Sequence, residues 1–257
     1  MTQKLIELQK MAERALMGIA EAGGQESGTM EIDNLHVDDA IAFFEQNGVD
    51  ILAEIPKFRE NFHKAQKMAR KGWTVRKDMP VISKKNMNLF FKVTNDGWID
   101  WKPPFYVNTE DPEKSTDPDN VFPQDLMHAR KERRRRWLVR GKGALDGNPS
   151  DDVINVVQKK IPAKDLKPIQ KQIYFSKSGG GTVNFGIQGT KNFLMSPANL
   201  FVASKENYII DGHHRWLSTM MIDPSMAVNA AVVDMDLDTL LDFTLAFGDA
   251  VDNERNK

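Results

Sequence analysis

Five consecutive residues near the C-terminal end, Asp211-Gly212-His213-His214-Arg215, concentrate most of the chemistry this chain can offer. An apolar run, Tyr208-Ile209-Ile210, leads into them and Trp216-Leu217 follows, which predicts a strand turning through Gly212 into a helix. The first turn of such a helix presents backbone N–H groups without intrahelical partners, and its dipole favours an exposed anion by about 0.3–1 kcal/mol. Gly212 permits close backbone approach, and the planar fork of Arg215 suits phosphate oxygens. His213 and His214 add donors or a proton-transfer group, and Asp211 adds a carboxylate for Mg²⁺ or for orienting an imidazole. The direct expectation is a phosphate held by Gly212, His213, His214 and Arg215. Asp211 is the candidate metal ligand, and Asp211, His213 and His214 are the candidate catalytic groups. A purely structural alternative has Asp211 capping the helix and both histidines at the surface. Zinc is disfavoured, because adjacent side chains point in different directions and the chain's other three histidines are distant in sequence.

Composition narrows the classes this turn can serve. The 257 residues are 40% hydrophobic and 28% charged with a formal net charge of −1, so any pull toward nucleic acid must be local. With no cysteine there is no disulfide, thiolate nucleophile or cysteine-bound metal. No apolar run approaches the roughly 20 residues a membrane helix needs. Lys4, Glu7, Lys10, Glu13 and Arg14 interrupt the N-terminus, unlike a signal peptide. A cytoplasmic protein without membrane partners is expected, in a host cytoplasm or a virion if phage-encoded.

The elements that must position the turn fall into three regions, 1–72, 73–150 and 151–257. The first is mainly helical. Leu5, Leu8, Ala12, Ala15 and Ile19 recur at helical steps until Gly23-Gly24, a helix suited to its own domain or to pairing with another subunit. Asp38 to Gln46 reads as a second helix, capped by Asp38 or Asp39. Val49 to Arg70 reads as a third, kinked or divided at Pro56 and closed by Lys71-Gly72. The second region opens with short strands at Val81-Ile82, Leu89 to Val93 and Trp98 to Trp101 and a turn at Asn95-Asp96-Gly97. Trp73, Trp98 and Trp101 there are candidates for core, cover or base stacking.

A proline-rich acidic connector, Lys102 to Asp125, precedes a strongly basic stretch. Arg130, Lys131, Arg133, Arg134, Arg135, Arg136, Arg140 and Lys142 stand against Glu132 alone. Four successive arginines cover every face of a helix. Either the acidic residues of Asp96 to Asp125 lie against them, or Arg130, Arg133, Arg134, Arg136 and Arg140 grip DNA or RNA phosphates.

The third region begins after the loop Gly143 to Ser150. Val153, Val156 and Val157 lead as a strand into Lys160-Ile161-Pro162, followed by Leu166-Lys167-Pro168. Gly179-Gly180-Gly181, Gly186 and Gly189 predict a flexible loop, and no Gly-Lys-Ser/Thr makes it a Walker loop. Leu200 to Ala203 and Tyr208 to Ile210 form a hairpin around Ser204 to Asn207. After the helix His213 to Met221 come a strand, Val228 to Val233, and a helix, Leu237 to Phe247.

The pieces Ile161-Pro162, Leu166-Lys167-Pro168 and Tyr208 to Trp216, with Gly248-Asp249-Ala250 near the end, resemble the ParB/sulfiredoxin superfamily, and most closely a ParB-like group often encoded by phages. The resemblance covers roughly the C-terminal third. It implies a ParB/sulfiredoxin-like α/β domain there, which together with the mainly helical N-terminal part and the small β hairpin region read above makes the chain α+β. It also implies a nucleotide (ATP, ADP or CTP) with Mg²⁺ at Asp211 to Arg215. Sulfiredoxins have a cysteine where this chain has His213, so that reaction is excluded. The Asp-Gly-His-His-Arg form is similar to that of free-serine kinases in the superfamily, whose glutamate base has Gln170 as its counterpart here; Glu206 and Asp211 are the candidate substitutes for that base. Three functions stay open: a Mg²⁺-dependent phosphotransferase or nucleotide hydrolase, a DNA-binding ParB-like protein or nuclease using residues 130–142, and a phage structural protein that assembles through its N-terminal helices.

Overall fold

A computed structural model of the chain describes residues 30–82, 98–101, 107–108, 144–145, 154–197 and 199–250. The expected helix over residues 5–19, the basic stretch 130–142, the strand over 89–93 and most of the acidic connector lie outside them. The described residues form an α+β fold whose sheet is mixed. Its strands are β1 (Trp98–Trp101), β4 (Ile154–Pro162), β5 (Lys167–Pro168), β6 (Phe201–Ser204), β7 (Tyr208–Asp211) and β8 (Ala227–Val233), in the spatial order β1-β4-β8-β6-β7-β5. A separate parallel pair joins β2 (Val107–Asn108) to β3 (Ala144–Leu145). No helix among the described residues is long and apolar enough to cross a membrane.

The apolar pattern explains the order. Every residue of β8 except Ala227 is buried, the mark of a central strand covered on both faces. It pairs antiparallel with β4, from Val156 opposite Val233 to Pro162 opposite Ala227, and parallel with β6. At the far edge β5 contributes two residues parallel to β7, and proline is tolerated there because an edge strand has no neighbour to receive its N–H. Val81-Ile82 forms no strand.

Helix α1 (Val37–Gln46) is the expected second helix, and α2 (Ile51–Glu54) and α3 (Phe58–Ala69) divide the expected long helix at Pro56. The cap of α1 is not an aspartate. His36 Nδ1 accepts the Asp38 N–H at 3.3 Å, while Asp38 commits its carboxylate to Arg59 at 2.6 Å. The glycine-rich segment is not a loop but helix α4 (Phe175–Met195), interrupted at Gly186, where φ is +66°. Glycine costs a helix about 1 kcal/mol per residue relative to alanine, and packing overrides that here. A Cβ at Gly179 would stand 3.1 Å from both the Phe175 and Phe43 rings, so the small residue lets α4 approach α1.

Phe44, Phe58, Phe62 and Phe175 meet mostly edge to face across α1, α3 and α4. That cluster continues without a break into Ile209, Trp216, Leu217 and Val228, so the N-terminal helices and the sheet share one core. Helix α5 (His213–Ile222) lies in its middle, against α3 and α4, and Asn61 donates to the Met221 carbonyl at 3.1 Å. Helix α6 (Leu237–Ala250) closes the described chain.

Candidate functional site

The strand-turn-helix expected from the sequence forms as β7, Gly212 and α5. Gly212 takes φ +113°, and a Cβ there would stand 2.6 Å from Cδ1 of Phe201. Both conditions require glycine. No side chain caps α5, which leaves the amides of its first turn to whatever enters from outside.

Arg215 faces back toward the strands. Its guanidinium donates to the Asn199 side chain, to the Leu200 carbonyl at 3.0 Å and to Asp211 Oδ2 at 2.5 Å, and it lies 4.9 Å over the Phe201 ring. The expected phosphate fork is thus already engaged, tying α5 to the start of β6. Burial pushes the Asp211 carboxyl above its usual range, while Arg215 and the Gly212 N–H oppose the rise.

Both histidines accept backbone hydrogen bonds. His213, 4% exposed, receives the N–H groups of Ile169 and Gln170 on Nε2, each at 3.2 Å. Burial, then the charges of Arg215 and Arg76, bring its pKa down to about 3. His214 receives the Tyr174 N–H on Nε2 at 3.1 Å and stacks on that tyrosine's ring. Burial first, then Arg76 and Lys177, hold it well below the ordinary histidine range. Both rings are neutral near pH 7. The hydrogen-bond pattern assigns the proton of each to Nδ1, because Nε2 is the accepting nitrogen. Neither can take a proton through Nε2 without losing a backbone partner, so both brace the turn against the segment 169–174.

A cavity of about 190 Å³ opens at this turn, with Gln170, Asp211, His213 and His214 in its wall. Its most informative wall residue is Arg76, which the sequence reading missed. The Thr74–Gln170 bridge and the bond from the Arg76 N–H to Gln172 Oε1, 2.7 Å, bring this remote segment alongside the turn. The Nε and Nη1 atoms of Arg76 are buried and have no hydrogen-bond partner. Burial lowers the Arg76 pKa. No local pattern around Arg76 announces this role, because only the tertiary pairing creates it. Gln170 lines the cavity too, its amide donating to the Gln172 carbonyl.

The donors fit an anion better than a cation. Among the described residues no three His, Cys, Asp or Glu side chains converge on a metal-sized site. The cavity would offer Mg²⁺ the Asp211 carboxylate, which Arg215 already holds. Trp73 is 52% exposed and meets Tyr208 edge to face, outside the cavity wall. The candidate nucleic-acid residues Arg130, Arg133, Arg134, Arg136 and Arg140 lie outside the described residues. No family model, curated protein or solved structure matches the chain.

Proposed function

We propose that this protein binds a phosphate-bearing ligand in the cavity at the start of α5, and that the ligand is a nucleotide, as the resemblance to the ParB/sulfiredoxin superfamily implies. The observation that carries the reading is the Nε and Nη1 atoms of Arg76, buried and without a hydrogen-bond partner beside the uncapped first turn of α5. Leaving a buried charged donor unpaired costs several kcal/mol, and an anion seated between it and the helix amides removes that cost. In this arrangement Arg76 and the α5 amides hold phosphate. Arg215, Asp211, His213 and His214 keep the turn in shape.

Binding and orientation are therefore the primary roles. Phosphotransfer or hydrolysis would require Asp211 to leave Arg215 before its carboxylate could accept a proton or hold a metal; no step is assigned to Mg²⁺. Calorimetric titration with ATP, ADP and CTP, with and without Mg²⁺, tests the reading. At least one should bind, and Arg76→Met should weaken it by about tenfold or more, the worth of a charge-assisted hydrogen bond. Absence of binding by all three, or unchanged affinity in Arg76→Met, would sink it.

A further inference from the structure

The polar groups around the cavity are mostly donors. Arg76 brings Nε and Nη1, and the first turn of α5 brings its amides. His213 and His214 spend Nε2 on backbone N–H groups, which leaves each imidazole its Nδ1–H. Asp211 is the carboxylate in the wall, and Arg215 and the Gly212 N–H hold it.

Gln170 is the exception. It lines the cavity and is only 5% exposed. Its Nε2 donates to the Gln172 carbonyl, so the amide cannot turn over without setting Oε1 against another oxygen. Its backbone is fixed as well, by the bridge to Thr74 and by the N–H given to His213. Among the described residues nothing donates to Gln170 Oε1, yet it is not one of the buried atoms without a partner, which are Thr74 Oγ1 and Nε and Nη1 of Arg76. An atom neither bonded nor buried faces open space, and the space Gln170 lines is this cavity. An acceptor aimed into a ring of donors selects an anion that brings one proton of its own. Hydrogen phosphate has such a proton. Sulfate has the same shape and, in mildly alkaline buffer, the same charge, but no proton. One of its oxygens would meet Oε1 as acceptor against acceptor, and a site built for a hydrogen bond strongly rejects an isostere that cannot make it.

We propose, on the basis of the phosphate reading above, that Gln170 is the specificity residue of the cavity. Its Oε1 accepts a hydrogen bond from the protonated oxygen of a tetrahedral oxyanion and so separates phosphate from sulfate. Arg76 and the α5 amides hold the charge of either anion, and Gln170 reads the proton that only one of them has.

The full chain would be titrated calorimetrically with phosphate, arsenate, sulfate and selenate in mildly alkaline buffer at fixed ionic strength. Phosphate and arsenate are protonated dianions there; sulfate and selenate are dianions without a proton. Wild type should bind phosphate at least about tenfold more tightly than sulfate, the worth of one hydrogen bond gained and one unpaired acceptor avoided. Arsenate should group with phosphate and selenate with sulfate, a comparison that separates the proton from the size of the anion and needs no variant. Gln170→Met should bring phosphate and sulfate to within about twofold, by weakening phosphate and not sulfate. Gln170→Glu keeps an acceptor, so it should weaken both anions and preserve the preference. Thermal melts of both variants would check the fold. If wild type binds sulfate as tightly as phosphate, if arsenate groups with sulfate, or if the preference survives Gln170→Met, the inference about Gln170 is wrong and the anion site stands. If none of the four anions binds wild type, the phosphate site itself is wrong and the role of Gln170 falls with it.

Discussion

Replacing His213 with glutamine should remove much of this protein's sensitivity to mild acid. In the folded chain His213 Nε2 accepts two backbone N–H groups, and a proton there would turn the acceptor into a third donor facing two others. Burial first, then the charges of Arg215 and Arg76, lower its pKa from 6.5 to about 3. Below pH 6.5 the unfolded chain takes up a proton at this position and the folded chain does not. Stability is therefore complete above that pH and declines as pH drops toward about 3, by about 1.4 kcal/mol per unit. Between pH 7 and pH 5 the loss from His213 alone comes to about 2 kcal/mol. His214 is shifted the same way and adds to the slope. The raised pKa of Asp211 works oppositely, since a folded state that binds its proton more tightly gains as pH falls. The lowered pKa values of Asp38, Asp223 and Asp236 matter only as pH falls through 3.8, below this interval. Glutamine can offer Oε1 to the same N–H groups without titrating. Urea unfolding at pH 7, 6 and 5 should show wild type losing about 2 kcal/mol more than His213→Gln over that range. Equal losses in the two proteins would refute the neutral, doubly accepting histidine.

Gly212→Ala should cost about 2–5 kcal/mol, because it combines a left-handed backbone with a collision against Phe201. Gly186→Ala meets open space at φ +66° and should cost only about 1–2 kcal/mol by the same urea assay. Gly180→Ala, inside α4 with no neighbour near the new methyl, should stabilise by about 0.5–1 kcal/mol. Phe175→Ala removes the ring on which three other phenylalanines converge and should cost about 3–5 kcal/mol. If residues 130–142 grip duplex DNA through four arginines, the logarithmic salt slope of binding should be about −3.6, and glutamine at Arg133 to Arg136 should abolish it. A flat salt dependence would instead favour a clamp on the chain's own acidic residues.

Local sequence was most informative where one short stretch contained its own reasons. The apolar run Tyr208 to Ile210, the glycine at 212 and the helix formers after it specify a strand, a left-handed turn and a helix start without help from elsewhere. The hairpin of β6 and β7, the buried strand β8 and the division at Pro56 were legible for the same reason. The glycines of α4 misled, because their helix propensity is poor and only contact with Phe43 and Phe175 makes their small size an advantage. Side-chain roles at the turn were the least legible. Residue type marked Arg215 as a phosphate fork, but Asn199, Leu200 and Asp211 engage it, and which partner reaches a guanidinium first is decided by packing. The histidines were candidates for proton transfer, yet the amides of Ile169, Gln170 and Tyr174 occupy their accepting nitrogens. Arg76 reaches the cavity because Thr74 pairs with Gln170, a contact no local pattern encodes. Sequence by itself determined that an anion-favouring helix start exists at Gly212, because backbone geometry there depends on neighbours in the chain. Tertiary structure decided which cation faces it, because that depends on a distant segment being folded against the turn.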